Sequence, residues 1–137
     1  MGRSEQAGQV EVRSADEVVV ATCPGDIARV DGFSLRWIHS VELEAWQEDF
    51  QVSETGEILI VGTRFRTFGA GTPDVAPVHE TRDGWVLMSG FDRVVDPLVI
   101  RAGATTNHQF VCESAATVLD PGQYRISFMD PMSVNKR

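Results

Sequence analysis

Apolar and polar residues alternate along most of the chain in short runs, and Gly, Pro, Asp and Asn stand between the runs. Alternation with a period of two residues is typical of a β-strand that buries one face. No window shows the period of 3.6 residues that a long amphipathic helix requires. The pattern predicts ten strands, near 9–14, 17–23, 33–40, 45–53, 57–67, 77–82, 85–90, 95–101, 107–113 and 123–129.

Turn residues lie between these runs, as Asp-Gly at 31–32 and 83–84 illustrates, and a single helical turn fits residues 112–120. Many short strands with close turns favour two packed sheets or a closed sheet. A chain of 137 residues has the length of one domain. We therefore predict an all-β fold, an antiparallel β-sandwich or flattened barrel of about eight to ten short strands, with one β domain spanning residues 1–137.

The stretch "WIHSVELEAWQEDF" at 37–50 is predicted to form most of a β-hairpin. Alternation gives each strand one mainly apolar face. Each of these faces contains one ionisable side chain, His39 on the first strand and Glu48 on the second. The two faces consist of Phe33, Leu35, Trp37 and His39, and of Trp46, Glu48, Phe50 and Val52.

The hairpin register decides how far apart His39 and Glu48 lie. Pairing Phe33 with Val52 places Trp37 opposite Glu48, and His39 and Glu48 then lie diagonally on one face, roughly 7 Å apart. A slip of two residues sets them directly opposite. A slip of one residue turns the apolar faces to opposite sides of the sheet, which burial forbids.

Two interpretations of Glu48 stay open at this point. Glu48 and His39 satisfy each other inside the sheet, or they line the mouth of a polar pocket. A buried carboxylate without a partner is costly, so Glu48 needs a partner or must keep its proton. If the face of strand 57–67 that carries Ile58 and Arg64 meets the core, Arg64 is the natural partner. On this hypothesis Glu48→Ala costs about 3–5 kcal/mol.

"TFGAGTPD" at 67–74 is the second unusual stretch. Its clustered Gly and Pro residues predict a tight turn between strands. The alternative is a backbone anion site, because successive exposed N–H groups can bind a carboxylate or a phosphate. Ser40 follows His39 on the strand and points to the opposite face, so the pair is no nucleophile with its base. Glu42 falls in the predicted hairpin loop.

Charge and cysteine content narrow the classes of partner. The formal net charge of −8, from 20 acidic and 12 basic residues, opposes binding to nucleic acid or to anionic lipid. No segment approaches the ~18 apolar residues of a membrane span, so no membrane insertion is expected. Cys23 and Cys112 can form one disulfide in an exported protein, or are buried thiols. No cofactor and no metal site is predicted, and a metal pair of His108 with Cys112 is disfavoured.

"HSVELEAWQEDF", followed by strand 57–67 and by "FGAGTP", resembles a family of small bacterial and archaeal proteins, the domain-of-unknown-function family numbered eighteen-fifty. The resemblance covers residues 37–73. Glu44-Ala45 stands where the family has residues similar to Lys-Thr-Pro, so this loop has diverged. The matching residues are His39, Ser40, Val41, Glu42, Trp46, Glu48, Phe68, Gly69, Ala70, Gly71 and Pro73.

The resemblance implies a setting rather than an activity. Such proteins are encoded beside tripartite (TRAP) transporters with a TAXI-type solute receptor, and they usually begin with a hydrophobic leader or anchor. Residues 1–14 contain no apolar stretch, so either a leader has been removed and the protein is extracytoplasmic, or the chain is cytoplasmic.

The resemblance favours a non-enzymatic extracytoplasmic accessory or binding module of a TRAP solute transport system. Its partners would be the receptor, the permease or a small solute. The alternative is a small hydrolase or lyase that uses His39 and Glu48 as acid and base. The hairpin end at 39–48 and the FGAG turn are the expected contact region. The candidate binding residues are His39, Ser40, Glu42, Glu48, Arg64, Phe68, Gly69 and Gly71.

Overall fold

A computed structural model describes residues 8–38, 45–66, 78–82 and 85–130 of the chain. Within these residues the chain forms eleven strands and one short helix. In chain order they are β1 (Gln9–Ser14), β2 (Val19–Pro24), α1 (Gly25–Val30), β3 (Phe33–Ile38), β4 (Ala45–Val52), β5 (Ile58–Arg66), β6 (Val78–Arg82), β7 (Trp85–Val94), β8 (Leu98–Ala102), β9 (Gln109–Cys112), β10 (Ala115–Val118) and β11 (Gly122–Met129).

The strands form two antiparallel sheets. The small sheet has the order β2-β1-β11-β8, and the large sheet has the order β10-β9-β3-β4-β5-β7-β6. Apolar side chains of both sheets join in one core. The predicted all-β sandwich is confirmed, and within the described residues the strands form two open sheets rather than a closed barrel. No helix among these residues is long and apolar enough to cross a membrane.

The core lies between the small sheet and the adjoining half of the large sheet. Val10 and Ile126 of the small sheet are fully buried, and they face Phe33, Phe50 and Phe110 of the large sheet. The ring centroid of Phe33 lies 5.3 Å from that of Phe50 and 5.4 Å from that of Phe110. Burial of aromatic side chains on this scale dominates the stability of a small sandwich.

Cys23 of β2 and Cys112 of β9 form a disulfide that joins the two sheets. The bond closes a loop with a sequence separation of 89 residues. Loop-closure entropy predicts that such a cross-link stabilises the fold by about 4–5 kcal/mol. The sequence left the state of the two cysteines open, because residues so far apart meet only through the tertiary fold.

Tyr124 fixes the start of β11 against the turn before it. Its hydroxyl donates a 2.7 Å hydrogen bond to the carbonyl oxygen of Asp120, four residues upstream. A tyrosine hydroxyl that bonds to the backbone a few residues upstream has the geometry of a tyrosine corner, a known feature of β-sandwiches. Burial raises the pKa of the Tyr124 hydroxyl, and the charge of Asp120 adds to this shift.

Two short elements differ from the predicted ones. Helix α1 was not predicted, because its six residues are too few to show a helical period. Residues 112–120, where a helical turn was predicted, instead form the β9–β10 hairpin. Glu113 has φ 56° in its turn, a left-handed conformation that suits a tight reversal rather than a helix.

The hairpin register differs from the predicted one by two residues, in the direction that pairs Glu48 with Leu35 instead of Trp37 and not in the direction that would set it opposite His39. Phe33 pairs with Phe50, Leu35 with Glu48 and Trp37 with Trp46. Both registers keep the apolar faces together, so alternation cannot distinguish them. The observed one sets Phe33 against Phe50 and Trp37 against Trp46, with parallel rings in each pair, and such aromatic pairs stabilise antiparallel strands.

Strand β5 contains a bulge at Val61. Asp49 pairs with Gly62 but Phe50 pairs with Ile60, so Val61 is an extra residue. A bulge reverses the alternation of faces beyond it. Ile60 before the bulge and Phe65 after it are therefore both buried on the inner face. Strict alternation predicts Ile58 and Arg64 on one face, and this prediction was wrong because the bulge lies between them.

Candidate functional site

Four rings form a row across the inner face of the large sheet. His108 stacks on Trp37 at 5.4 Å between centroids, Trp37 on Trp46 at 6.3 Å and Trp46 on Phe65 at 4.4 Å. The planes differ by only 6°, 20° and 16°. The order follows the strand pairing, because Trp37 pairs with Trp46 and Trp46 with Phe65. We call these four side chains the aromatic row.

Glu48 lies beside the aromatic row, on the same face of the large sheet. It pairs with Leu35 of β3 and with Thr63 of β5. Its side chain is half-buried. Across residues 8–38, 45–66, 78–82 and 85–130, no hydrogen bond or ion pair reaches its carboxylate. Burial raises its pKa from 4.5, Arg93 opposes this shift and the charge of Asp49 adds to it.

An open cleft of about 440 Å³ lies in front of Glu48. The large sheet contributes its floor, and the edge strand β8 of the small sheet and the β8–β9 connection contribute its other walls. Its volume falls within the usual range for small-molecule sites, about 300–1,000 Å³. The lining residues are Leu35, Trp37, Glu48, Ile100, Arg101, Thr106 and His108.

The β8–β9 connection positions His108 in the cleft wall. The backbone N–H of Ile38 donates to the carbonyl oxygen of Thr106 at 2.8 Å, and that of Leu119 donates to the carbonyl oxygen of His108 at 2.9 Å. The Thr106 hydroxyl shares a 2.7 Å hydrogen bond with Nδ1 of His108. Burial lowers the pKa of His108, so the neutral imidazole is favoured.

Asp49 lies on the opposite, outer face of the same strands, and both of its carboxylate oxygens have partners. Asp49 accepts hydrogen bonds from the Ser34 hydroxyl at 2.7 Å and from the Gln47 amide at 2.9 Å. Its second oxygen forms a 2.9 Å salt bridge with Arg64. The predicted partnership of Arg64 with Glu48 was therefore wrong. The bulge at Val61 turns Arg64 to the outer face, where Asp49 lies diagonally across from it.

A metal site finds no support among the described residues, which contain no group of three or more His, Cys, Asp or Glu placed to hold an ion. Cys112 is in the disulfide and is not available as a ligand beside His108. The cleft instead offers a carboxyl, an imidazole, a hydroxyl and a guanidinium group within apolar walls. These groups suit the recognition of a small charged molecule, or proton transfer to one.

A family model described as "Domain of unknown function (DUF1850)" matches residues 33–119, more than half of the chain. The chain belongs to this family. All the residues that line the cleft of this DUF1850 protein lie within the matched span, whereas β1, β2 and β11 lie outside it. The comparisons with curated proteins and with solved structures found no match.

Only two of the predicted site residues of the DUF1850 protein lie in its described part. Glu48 lines the cleft, as the pocket interpretation requires, and Arg64 lies on the outer face. The other six, which form the hairpin end and the FGAG turn, lie outside the described residues, and their roles stay predictions. They are His39, Ser40, Glu42, Phe68, Gly69 and Gly71.

Sequence reasoning missed the wall of the cleft that faces Glu48. Ile100, Arg101 and Thr106 carry no local signal that separates them from ordinary strand and turn residues. His108 did carry one, because it alternates with Phe110 and Cys112 on an apolar face. An ionisable residue in such a position is the signal that singled out Glu48 as well.

Proposed function

We propose that this DUF1850 protein is a non-enzymatic, extracytoplasmic binding or accessory module of a TRAP solute transport system with a TAXI-type receptor. The observation that carries the binding part of the proposal is the cleft at Glu48. It combines apolar walls with a few convergent polar groups, which is the usual composition of a small-molecule site.

The Glu48 carboxylate supports a binding role because no hydrogen bond or salt bridge reaches it from the described residues, and the charge of Arg93 only partly opposes the effect of burial on its pKa. Leaving a half-buried carboxylate unpaired costs free energy. Asp49, one residue further along, shows that β4 and its two neighbouring strands can supply a full set of partners to an acid. A ligand that donates to Glu48 offsets this cost when it binds.

The disulfide supports the extracytoplasmic location. Disulfides form and persist in oxidising compartments and are rare in the cytosol, where thiols are kept reduced. Cys23 is fully buried and pairs with Cys112 across the two sheets. In cells, both cysteines should resist alkylation until a reductant is added. Free thiols in freshly isolated protein would favour the cytoplasmic alternative.

The link to transport rests on the family. The stretch at 39–48 and the FGAG turn resemble proteins encoded beside TAXI-type TRAP transporters. The receptor, the permease or a small solute is the proposed partner. The net charge of −8 disfavours nucleic acid.

Co-purification with the neighbouring receptor and permease tests the transport proposal. The tagged chain should retain at least one of the two components. Gly71→Val combined with Glu42→Ala should weaken retention, whereas Glu54→Ala in the exposed β4–β5 turn should not. Thermal melts of all variants separate lost binding from lost folding. If the wild-type chain retains neither component, the association with the transporter is wrong.

One observation favours the enzyme alternative, a small hydrolase or lyase. Glu48 has a raised pKa and His108 a lowered one, and both line the same cleft. Burial favours the neutral form of both groups, so that a protonated Glu48 could donate a proton and a neutral His108 could accept one. Turnover that disappears in Glu48→Gln, and in either His39→Ala or His108→Ala, would replace the binding proposal. Binding of a ligand without turnover would exclude the enzyme alternative for that ligand.

A further inference from the structure

We infer that the cleft binds a small zwitterion, a molecule that carries a primary ammonium group and a carboxylate on an apolar skeleton, of which an α-amino acid is the simplest case. The inference rests on the proposed binding function and adds the chemical class of the ligand. Glu48 recognises the ammonium group, Arg101 the carboxylate, and Leu35, Trp37 and Ile100 the skeleton.

Glu48 calls for a ligand that donates hydrogen bonds and carries positive charge. Leu35 and Thr63 flank it across the strands, and no described side chain donates to it. A primary ammonium group supplies three donors and the complementary charge. An incoming cation also removes the unfavourable part of burying the carboxylate.

The aromatic row favours recognition by the carboxylate rather than by a ring face. Trp37 has a nearly parallel ring on each side, His108 and Trp46. A cation binds the open face of an aromatic ring, and the faces of Trp37 are turned to its neighbours. A quaternary ammonium ion, which donates no hydrogen bond and relies on ring faces, is therefore the wrong ligand.

Arg101 supplies the second charge. It is an exposed residue of β8 at the cleft, and no ion pair reaches it from any other described residue. Guanidinium groups bind carboxylates in a bidentate manner. Glu48 and Arg101 both line the cleft, and they form no salt bridge with each other. A ligand with both charges can engage both at once.

The other residues that line the cleft are largely apolar. Leu35 is buried, and Trp37 and Ile100 are half-buried beside it. The Thr106 hydroxyl already bonds to the Gly103 backbone N–H and to His108. The cleft volume of about 440 Å³ admits an amino acid with a sizeable apolar side chain.

A comparison of three matched probes tests the charge pattern. Thermal shifts with the standard L-amino acids first select the best binder, with leucine as the lead. Calorimetry at neutral pH then compares leucine with 3-methylbutylamine, which lacks the carboxylate, and with 4-methylpentanoate, which lacks the ammonium. We expect leucine to bind most tightly, the amine about tenfold more weakly and the acid weakest, since each lost charge-assisted contact is worth at least that factor.

Two variants assign the charges to their residues. Glu48→Gln should weaken leucine and the amine at least tenfold and leave the acid unaffected. Arg101→Gln should reduce the affinity for leucine to that for the amine, and it should not change the affinity for the amine. Glu54→Gln, in the exposed β4–β5 turn, and Arg125→Gln, at an exposed position of β11, are the controls and should change none of the three.

Several results would overturn the inference. They are the absence of any thermal shift at millimolar amino acid, acid binding as tight as leucine binding, or unchanged leucine affinity in Glu48→Gln. None of these results bears on the co-purification test, so the proposed ligand class can be wrong while the association with the transporter holds. Circular dichroism of the variants ensures that a lost affinity is not a lost fold.

Discussion

Glu48 and Asp49 are consecutive acids on β4, and the two faces of the sheet treat them differently. Asp49 points to the outer face, where Ser34, Gln47 and Arg64 all donate to it. Glu48 points to the inner face, where it lies between Leu35 and Thr63 and receives no hydrogen bond or ion pair from the described residues.

The difference teaches where to look for a binding site in a β-sandwich. Polar partners are plentiful on a solvated face, so an acid there is readily satisfied and serves the fold. On the inner face neither Leu35 nor Thr63 across the strands donates a hydrogen bond to Glu48, and the charge of Arg93 offsets only part of the cost of its burial. The fold tolerates that cost at Glu48, at the floor of a cleft, and this makes Glu48 rather than Asp49 the functional candidate.

The largest effect on stability should come from removing the disulfide that joins the small sheet to the inner face of the large sheet. Cys23→Ala combined with Cys112→Ala should lower the free energy of unfolding by about 4–5 kcal/mol, because the cross-link spans a separation of 89 residues. Urea denaturation under non-reducing conditions measures the loss. Wild-type protein in reductant is the control and should lose a similar amount. Equal stability with and without reductant would contradict the role of this bond.

Asp49→Ala should cost about 1–2 kcal/mol, since it removes the acceptor shared by three donors. The cost stays below that of breaking a buried ion pair because the Arg64 side chain is 41% exposed and can turn to water. Chemical denaturation at neutral pH gives the value. Ser34→Ala deletes one of the three bonds and should have a smaller effect. If Asp49→Ala leaves the free energy of unfolding unchanged, Asp49 does not stabilise the fold and does not differ from Glu48 in this respect.

Glu48→Gln should instead stabilise the protein by about 1 kcal/mol at pH 7–8, because a neutral amide is cheaper to bury than an unpaired carboxylate. This is opposite in sign to the loss that pairing of Glu48 would imply. The raised pKa means that the folded state holds the Glu48 proton at pH values where the unfolded chain has released it. Wild-type stability therefore decreases as the pH rises through that window.

The gain in stability of Glu48→Gln over the wild type should accordingly be complete above the folded-state pKa of Glu48, and it should disappear as the pH falls to about 4.5. Denaturation of both proteins across the pH range measures it, and a carbon NMR titration of Glu48 locates the window. A variant that is less stable than the wild type at pH 8 would show that the carboxylate has a partner.

The smallest effect on stability should come from Arg101→Gln, within about 0.5 kcal/mol. Arg101 is exposed, and no described residue forms a salt bridge with its side chain, so its replacement leaves no charged or polar group without a partner. Thermal melts in the absence of ligand check this. A clear destabilisation would mean that Arg101 serves the fold rather than the cleft.

The sequence by itself determined the fold class and the facing of the hairpin. Alternation correctly placed Phe50 and Val52 in the core and Glu48 on their face, because a period of two residues is a local property of the extended chain. The lack of a 3.6-residue period argued against long amphipathic helices, and the structure contains none within its described residues.

The tertiary structure decided the register, the bulge and the partners. Two registers satisfy the same alternation, and only the matching of Phe33 with Phe50 and of Trp37 with Trp46 selects one. The bulge at Val61 sent Arg64 to Asp49 instead of Glu48. The disulfide and the far wall of the cleft join segments distant in sequence, and such contacts depend on the packing of two sheets, which no local pattern encodes.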